Sequence, residues 1–454
     1  MSIKKSIIKI LTSNILIAVS SILVGFIVPL KLDIDAYAYL KTYTLYISYV
    51  GFFHFGFIDG LYIKYGGKTI EEVDKGVLKN EHRLFIRIQL IATLVFIIIS
   101  IALKDTIIFL MALSIIPVNT ISFHKLFYQA TGEFDKFAKV SCTYSLIYAL
   151  LNILLVFLTE SSNYILFCLV LLFTNGVIFL KLEYKFYKSY KDIDYVRSDD
   201  LYKNIKVGFV ILLANLSVSL FYGIDRWFIK IGFSNSDFSY YSFAVSMLNI
   251  VNLVVTSISV TFYNYLSKGV SKEIIKKLKN YFLLIGGGVG AIYFVFAFIV
   301  NTFIKKYIPS LSIISISFVA YPYMIVINSL YTNLYKSNKN EKHYLKVVIY
   351  MVLVAIVYNV IAVIISKDPI FIAAATTLSF MTWYIYSMKD FKYLKISVKE
   401  GVYLISIMCS FLIISHVFDY IFGGFVYLLI YVIISYCTLR KDCIELFNSL
   451  IKIK

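Results

Sequence analysis

Apolar runs of about 20 residues recur along the whole chain, separated by short polar stretches rich in lysine. A helix rising 1.5 Å per residue needs about 20 such residues to cross the hydrocarbon of a bilayer. The first run starts within the basic segment MSIKKSIIKI and extends to Leu30. It is too long for the core of a signal peptide, and no A-x-A-like cleavage site follows it. The remaining runs cover 38–58, 84–103, 106–128, 140–158, 164–182, 207–229, 239–265, 281–304, 311–335, 347–366, 369–388, 401–418 and 421–438. The pattern predicts an all-α polytopic membrane protein with about fourteen transmembrane helices, or twelve if two runs are overcounted.

Composition excludes one large soluble core. The chain is 60% hydrophobic and 15% charged, whereas a soluble domain is nearer half apolar and about a quarter charged. The net charge of +18 would suggest nucleic acid, but the lysines follow the membrane pattern. With the N-terminus inside, 36 of the 44 Lys and Arg fall on the cytoplasmic side and 7 outside, with Lys41 alone in helix 2. That asymmetry places both termini in the cytoplasm and supports an even number of helices. Nucleic acid is not needed to explain the charge. The 39 tyrosines and 38 phenylalanines accompany abundant Ile, Lys and Asn, the residues of A/T-rich codons, and do not by themselves mark a sugar-stacking surface. Cys142, Cys168, Cys409, Cys437 and Cys443 show neither C-x-x-C nor framework spacing, so no metal site or disulfide is expected. The outer loops are short, and the inner loops (59–83, 183–206, 267–280, 389–400) are too short for domains. Function is expected within the membrane.

The two halves repeat at a nearly constant offset. Leu11-Thr12-Ser13-Asn14 answers Leu212-Leu213-Ala214-Asn215, and Asp35 with Tyr37 and Tyr39 answers Asp237 with Tyr240 and Tyr241. Tyr128, Gly132-Glu133 and Lys139-Val140 answer Tyr335, Asn340-Glu341 and Lys346-Val347. Both copies start inside, so the repeat is parallel, about an axis along the membrane normal. The expected organisation is a six-helix bundle over 1–182, a cytoplasmic linker over 183–206, a second bundle over 207–388, and an extra helix pair with a tail over 389–454. Two such bundles around a central cavity are a transporter architecture that works by rocking.

One stretch is costly for a membrane segment. Phe221–Phe233 closes the run 207–229 with Asp225 and Arg226 side by side, then Trp227 and Lys230. A charge at mid-membrane costs roughly 2.5–3.5 kcal/mol on insertion scales, less near the edge. Such residues are kept for a partner, a wet cavity or an interface.

Three stretches carry a resemblance. They are Gly51-Phe52-Phe53-His54-Phe55-Gly56-Phe57-Ile58-Asp59-Gly60 with Lys64-Tyr65-Gly66-Gly67-Lys68, Phe127-Tyr128-Gln129-Ala130-Thr131-Gly132-Glu133, and Asp225-Arg226 ahead of Asp237 and Tyr240-Tyr241. The chain resembles the oligosaccharide flippases of polysaccharide gene clusters, the Wzx-like branch of the MOP exporter superfamily. The resemblance implies transfer of an undecaprenyl-pyrophosphate-linked repeat unit from the inner to the outer leaflet of a bacterial cytoplasmic membrane, in O-antigen or capsule biosynthesis. It also implies a monomer with no cofactor, working beside a polymerase and a chain-length regulator and in contact with membrane lipid.

Such a substrate needs a polar groove with cations for the pyrophosphate, and the fork of arginine suits phosphate. The candidates are Arg226, Lys41, Lys230, Arg87 and Lys125, with Asn14 and Asn215 at matched places in the two halves. Each has a plainer reading. Arg226 and Lys230 beside Trp227, and Lys41 in the first turn of helix 2, could snorkel to an interface. Arg87 and Lys125 sit at inner ends where basic residues belong. Asp59 and Asp225 are candidate gating residues, Asp59 with turn-shaping as its alternative. Intrahelical asparagines are more simply helix–helix hydrogen bonds. Gly286-Gly287-Gly288-Val289-Gly290 lacks the Lys-Ser/Thr of a phosphate loop and reads as close helix packing or a bend. His54, His124 and His416 have no ligand spacing, so no metal is expected.

A multidrug or small-solute antiporter of the same superfamily is the first alternative. It would need an acid buried mid-helix, and Asp59, Glu160, Asp225 and Asp419 all sit toward helix ends. A polytopic glycosyltransferase or polymerase is the second. Asp33-Ile34-Asp35 gives an acidic pair in the first outer loop, but the substantial outer loop of those enzymes is missing. No catalytic residue is assigned.

Overall fold

The computed structural model describes the backbone of residues 3–451 apart from 160, 198–200, 267–268 and 338–339. Side chains are described from Ile17 onward, except at 201, 254, 257, 258, 260, 261, 263–265, 341, 447 and 449–451. The described residues are helical, with no strand among them. Among the described residues, ten helices are long and apolar enough to cross a membrane, eleven if one bent pair is a single span. The protein is therefore an all-α polytopic membrane protein, and each of the fourteen predicted runs falls on a helix or on a broken helix.

The chain divides into two compact units, Met1–Leu216 and Ser217–Lys454. The first holds α1 (Ile3–Lys31), α2 (Ile34–Val50), α3 (Phe57–Tyr65), α4 (Lys75–Leu103), α5 (Thr106–Ala130), α6 (Phe134–Leu158), α7 (Tyr164–Tyr190) and most of α8 (Leu201–Phe221). Helix α5 is its centre, packed by α2, α3, α4, α6 and α7, while α1 lies on α6. Short polar residues between the apolar runs start the helices. Asp74, Asp105 and Asn163 each accept amides of the first turn of α4, α5 and α7, satisfying donors that a helix start leaves orphaned.

The second unit holds α9 (Ile224–Gly232), α10 (Asn235–Leu266), α11 (Lys272–Phe303), α12 (Ser310–Phe318), α13 (Tyr321–Val326), α14 (Thr332–Ser337), α15 (Glu341–Ile365), α16 (Pro369–Asp390), α17 (Val398–Val417) and α18 (Tyr420–Ile451). Here α11 is central, packed by α12, α13, α17 and α18. The glycine run lies on this helix and gives close packing, not a phosphate loop. A Cβ on Gly286 would meet the backbone of Pro322, and one on Gly290 would meet the Tyr427 hydroxyl. Tyr403, Tyr427 and Tyr431 press onto this bare face and donate to the carbonyls of Leu283, Gly287 and Leu284 at 3.1, 2.6 and 2.8 Å. The terminal helix pair is thus fastened to α11 by tyrosine hydroxyls.

Three predicted runs, 38–58, 207–229 and 311–335, are not continuous helices. The first breaks at Val50, passes through a 3₁₀ turn, and resumes at Phe57. Phe55 and Gly56 take positive φ of 49° and 80° there, which costs a phenylalanine strain that glycine avoids. The second run breaks at Tyr222–Gly223 between α8 and α9. The third bends by 49° ahead of α13, where Pro322 supplies no amide, and then widens into a π-helical segment over Ile327–Tyr331.

Candidate functional site

Two of the three broken runs, 38–58 and 207–229, hold the candidate gating acids. Each of these two breaks is followed by a short helix of 9 residues with an aspartate in its first turn, Asp59 in α3 and Asp225 in α9. A carboxylate suits that position, because the helix start presents unpaired amides and the positive end of its dipole. The cost of an acid in an apolar run is thus met by breaking the run.

Asp225 is buried, and its carboxylate accepts from the Tyr241 hydroxyl and the Arg226 amide, each at 2.7 Å. It forms no ion pair with the guanidinium. Arg226 is half-buried, and its Nε is buried without a hydrogen-bond partner. Lys230, one turn on, lies 5.3 Å from the Phe238 ring. The break also meets the π-helical segment, because the Tyr222 hydroxyl donates to Asn328 Oδ1 at 2.5 Å. Extra residues in a helix frequently mark functional places. Tyr222→Phe is expected to cost about 0.5–1.5 kcal/mol, the net value of one such bond. The drop should be seen in thermal unfolding of the purified protein, and an unchanged midpoint would mean that the bond is idle.

In the first unit, the break in the second run is held by buried amides. Asn119 Nδ2 donates to Val50 O at 3.1 Å and to Gln89 Oε1 at 2.6 Å, and Gln89 donates to Phe53 O at 3.3 Å. These bonds satisfy carbonyls that the break releases. Asp59 Oδ2 stands 3.7 Å from His54 Nε2, and its Oδ1 accepts from Asn215 Nδ2 at 3.5 Å. Asp59 and Asn215, chosen from different halves of the sequence, therefore meet. Around them three glycines close the contact between α3 and α8. Gly56 and Gly60 lie one turn apart, and a Cβ on Gly208 would overlap the backbone of both.

The other expected groove residues are dispersed. Lys41 is half-buried on α2 with its ammonium 5.0 Å from the Tyr37 ring. Lys125 is half-buried on α5, 5.0 Å from the Phe137 ring, and Arg87 is exposed on α4. The Asn14 side chain lies outside the described residues, as does Glu160. Asn152, Asn175 and Asn359 donate to carbonyls four residues back in their own helices, where helix–helix bonds were expected. The short reach of asparagine explains this, since its own carbonyl ladder is the nearest acceptor. Asp33 and Asp35 begin α2, and Asp419 caps the start of α18.

Sequence reasoning missed a half-buried acid and its two buried histidine partners. His82 and His124 each hydrogen-bond Glu183 Oε1 at 3.0 Å, and the three ligand atoms lie within 4.8 Å of one another. His124 is isolated along the chain but not in space. Glu81 is a buried acid, bound by Tyr65 at 2.7 Å and by Lys64. Both acids lie about two turns inside their helices, so the expectation that acids keep to the ends does not cover them. The His82–His124–Glu183 group has donors that suit a metal ion. One carboxylate oxygen already serves both imidazoles, and the nearby cavity is lined with lysines, which disfavours a cation. The group is a strut joining α4, α5 and α7. Its only sequence signal is a glutamate inside the basic stretch Lys181–Lys185.

No family model and no curated protein matches this sequence. Solved structures do match it. The lipid II flippase MurJ in its inward closed conformation matches 96% of this chain and 99% of its own, with a TM-score of 0.68 at 15% identity. An outward-facing multidrug resistance MATE family transporter of the MOP superfamily matches 86% of this chain and 96% of its own at 13% identity, and its TM-score of 0.49 is too low to add weight. What the chain shares with the lipid II flippase structure is the fold.

Proposed function

We propose that the protein flips an undecaprenyl-pyrophosphate-linked oligosaccharide repeat unit from the cytoplasmic to the outer leaflet by alternating access, in the assembly of O-antigen or capsule. The observation that carries the reading is the fold held in common with a lipid II flippase over 96% of this chain. In this reading the working parts are two bundles, 1–182 and 207–388, joined by 183–206, with 389–454 as an added helix pair. The termini are cytoplasmic and the membrane is the bacterial inner membrane. A polymerase and a chain-length regulator act downstream on the product.

Within this scheme the unpartnered Nε of Arg226 is a donor awaiting an anion. Asp225 is taken up by Tyr241 and the Arg226 amide, which leaves the guanidinium available to pyrophosphate. Lys41 supplies a second cation. Asp59, with His54 and Asn215, belongs to the inner gate.

Deleting the gene should accumulate lipid-linked repeat units on the inner leaflet, measured by extraction and leaflet-selective labelling. Single flipped units accumulating outside would sink the reading and point to a polymerase. Arg226→Ala and Lys41→Ala, made separately, are each expected to cut surface polysaccharide about tenfold, as loss of one charge-assisted contact of about 1.4 kcal/mol would. Unchanged polysaccharide in both variants would refute the cationic groove.

A further inference from the structure

A cavity of about 500 Å³ lies between the last turns of α5 and α7 and the first turns of α6, within the first unit. Its volume is in the range of ligand pockets. Lys75, Lys136, Lys139, Lys181, Lys185 and Lys188 line it, against one lining acid, Glu71. Lys136 is paired with Glu133 at 3.0 Å and lies over the Tyr128 ring. The other five lysines form no ion pair among the described residues.

Lys181 and Lys185 are one turn apart on α7, an arrangement in which like charges repel by a few tenths of a kcal/mol. The preference for basic residues on the cytoplasmic side explains lysines at this membrane face. It does not explain why they surround a hollow whose walls are Phe127, Leu182 and Phe186. Cations over an apolar, aromatic floor call for an occupant that is anionic at one end and apolar at the other.

The position narrows the occupant. The cavity lies against the last turns of α5, which ends at Ala130, and the first turns of α6, which begins at Phe134, and the ends of spanning helices are where lipid headgroups are met. The back wall is held by His124 through its bond to Glu183, so the cavity is pre-shaped. Its volume admits a phosphate headgroup with its glycerol, but not a pyrophosphate carrying several sugars. None of the residues at the helix breaks lines it. We infer that this cavity binds the phosphate headgroup of an anionic phospholipid of the lysine-rich leaflet. Lys181 and Lys185 face the phosphates, and Phe127 and Phe186 cover the first methylenes. Basic pockets between transmembrane helices recognise such headgroups.

The test uses the full-length protein in neutral detergent, with cardiolipin as probe and native mass spectrometry as readout. The wild type should bind saturably, and Lys181→Gln/Lys185→Gln should bind roughly 10- to 30-fold more weakly, from about a kilocalorie per basic residue. Both lysines are exposed, so the unfolding temperature should not move. Lys346→Gln/Lys399→Gln removes the same charge from the second unit and should bind like the wild type. Equal affinity in all three proteins overturns the proposal, and so does an equal loss in the Lys346→Gln/Lys399→Gln protein. Displacement of cardiolipin by inorganic pyrophosphate or undecaprenyl pyrophosphate, but not by phosphatidylglycerol, also overturns it. That last outcome would assign the cavity to a pyrophosphate.

Discussion

Lys279→Met is expected to destabilise the second unit by about 3–5 kcal/mol, the effect of removing one partner from a buried ion pair. Lys279 and Glu400 are 0% and 1% exposed, with Nζ 2.8 Å from Oε2. The ammonium also donates to Leu394 O at 3.0 Å, and the same carboxylate oxygen accepts from the Ser397 amide at 2.9 Å as part of a capping box. The pair therefore fastens the start of α17 to α11 while closing the cap of α17. Without the lysine, a buried carboxylate keeps one amide donor and loses its counter-charge. The double variant Lys279→Met/Glu400→Leu should recover most of the loss, because a buried pair is costly to break and much less costly to replace whole. Thermal unfolding of the three proteins in one detergent decides it. A single variant that melts with the wild type would mean that the pair contributes nothing to stability.

Gly208→Val is expected to disable transport while leaving the protein folded. A Cβ at Gly208 overlaps the Gly56 carbonyl and the Gly60 amide, and these are backbone atoms that cannot rotate away. Overpacking of this kind costs about 3 kcal/mol at the upper end of its usual range, which lowers the population of the closed contact roughly 150-fold. If α3 and α8 form the inner gate, the variant leaves that gate open. The measurement is labelling of Asn215→Cys by a membrane-impermeant maleimide, with the native cysteines replaced. Labelling from the lysine-rich side should rise with Gly208→Val, and surface polysaccharide should fall. Unchanged labelling together with normal polysaccharide would show that the contact has no part in gating.

How much of the site was legible depended on the range of each interaction. Asp225 and Arg226 stood out because two charges in an apolar run are costly wherever the run lies. The break at Tyr222–Gly223 that makes Asp225 tolerable was not legible, because a lone glycine is frequent inside transmembrane helices and does not by itself mark where one ends. The partner that holds Asp225, Tyr241, is one tyrosine among 39. Asp59 and Asn215 were each chosen for local reasons, and their meeting depends on Gly56, Gly60 and Gly208, whose spacing across two helices no local pattern displays. His82, His124 and Glu183 come from three helices and share only their contact.

The sequence by itself determined the membrane class and the positions of fourteen apolar runs. Those properties follow from run length and charge count, which the bilayer reads one segment at a time. Tertiary structure decided where the runs break, because a released carbonyl is tolerated only where Asn119 or Gln89 from another helix can meet it. It also decided which charges are held and which are left without a partner. In the sequence Asp225 is half of a costly pair. In the fold it is bound by Tyr241, and Arg226 is the residue with a donor to spare, since hydrogen-bond geometry across helices, and not adjacency in the chain, chose the partner.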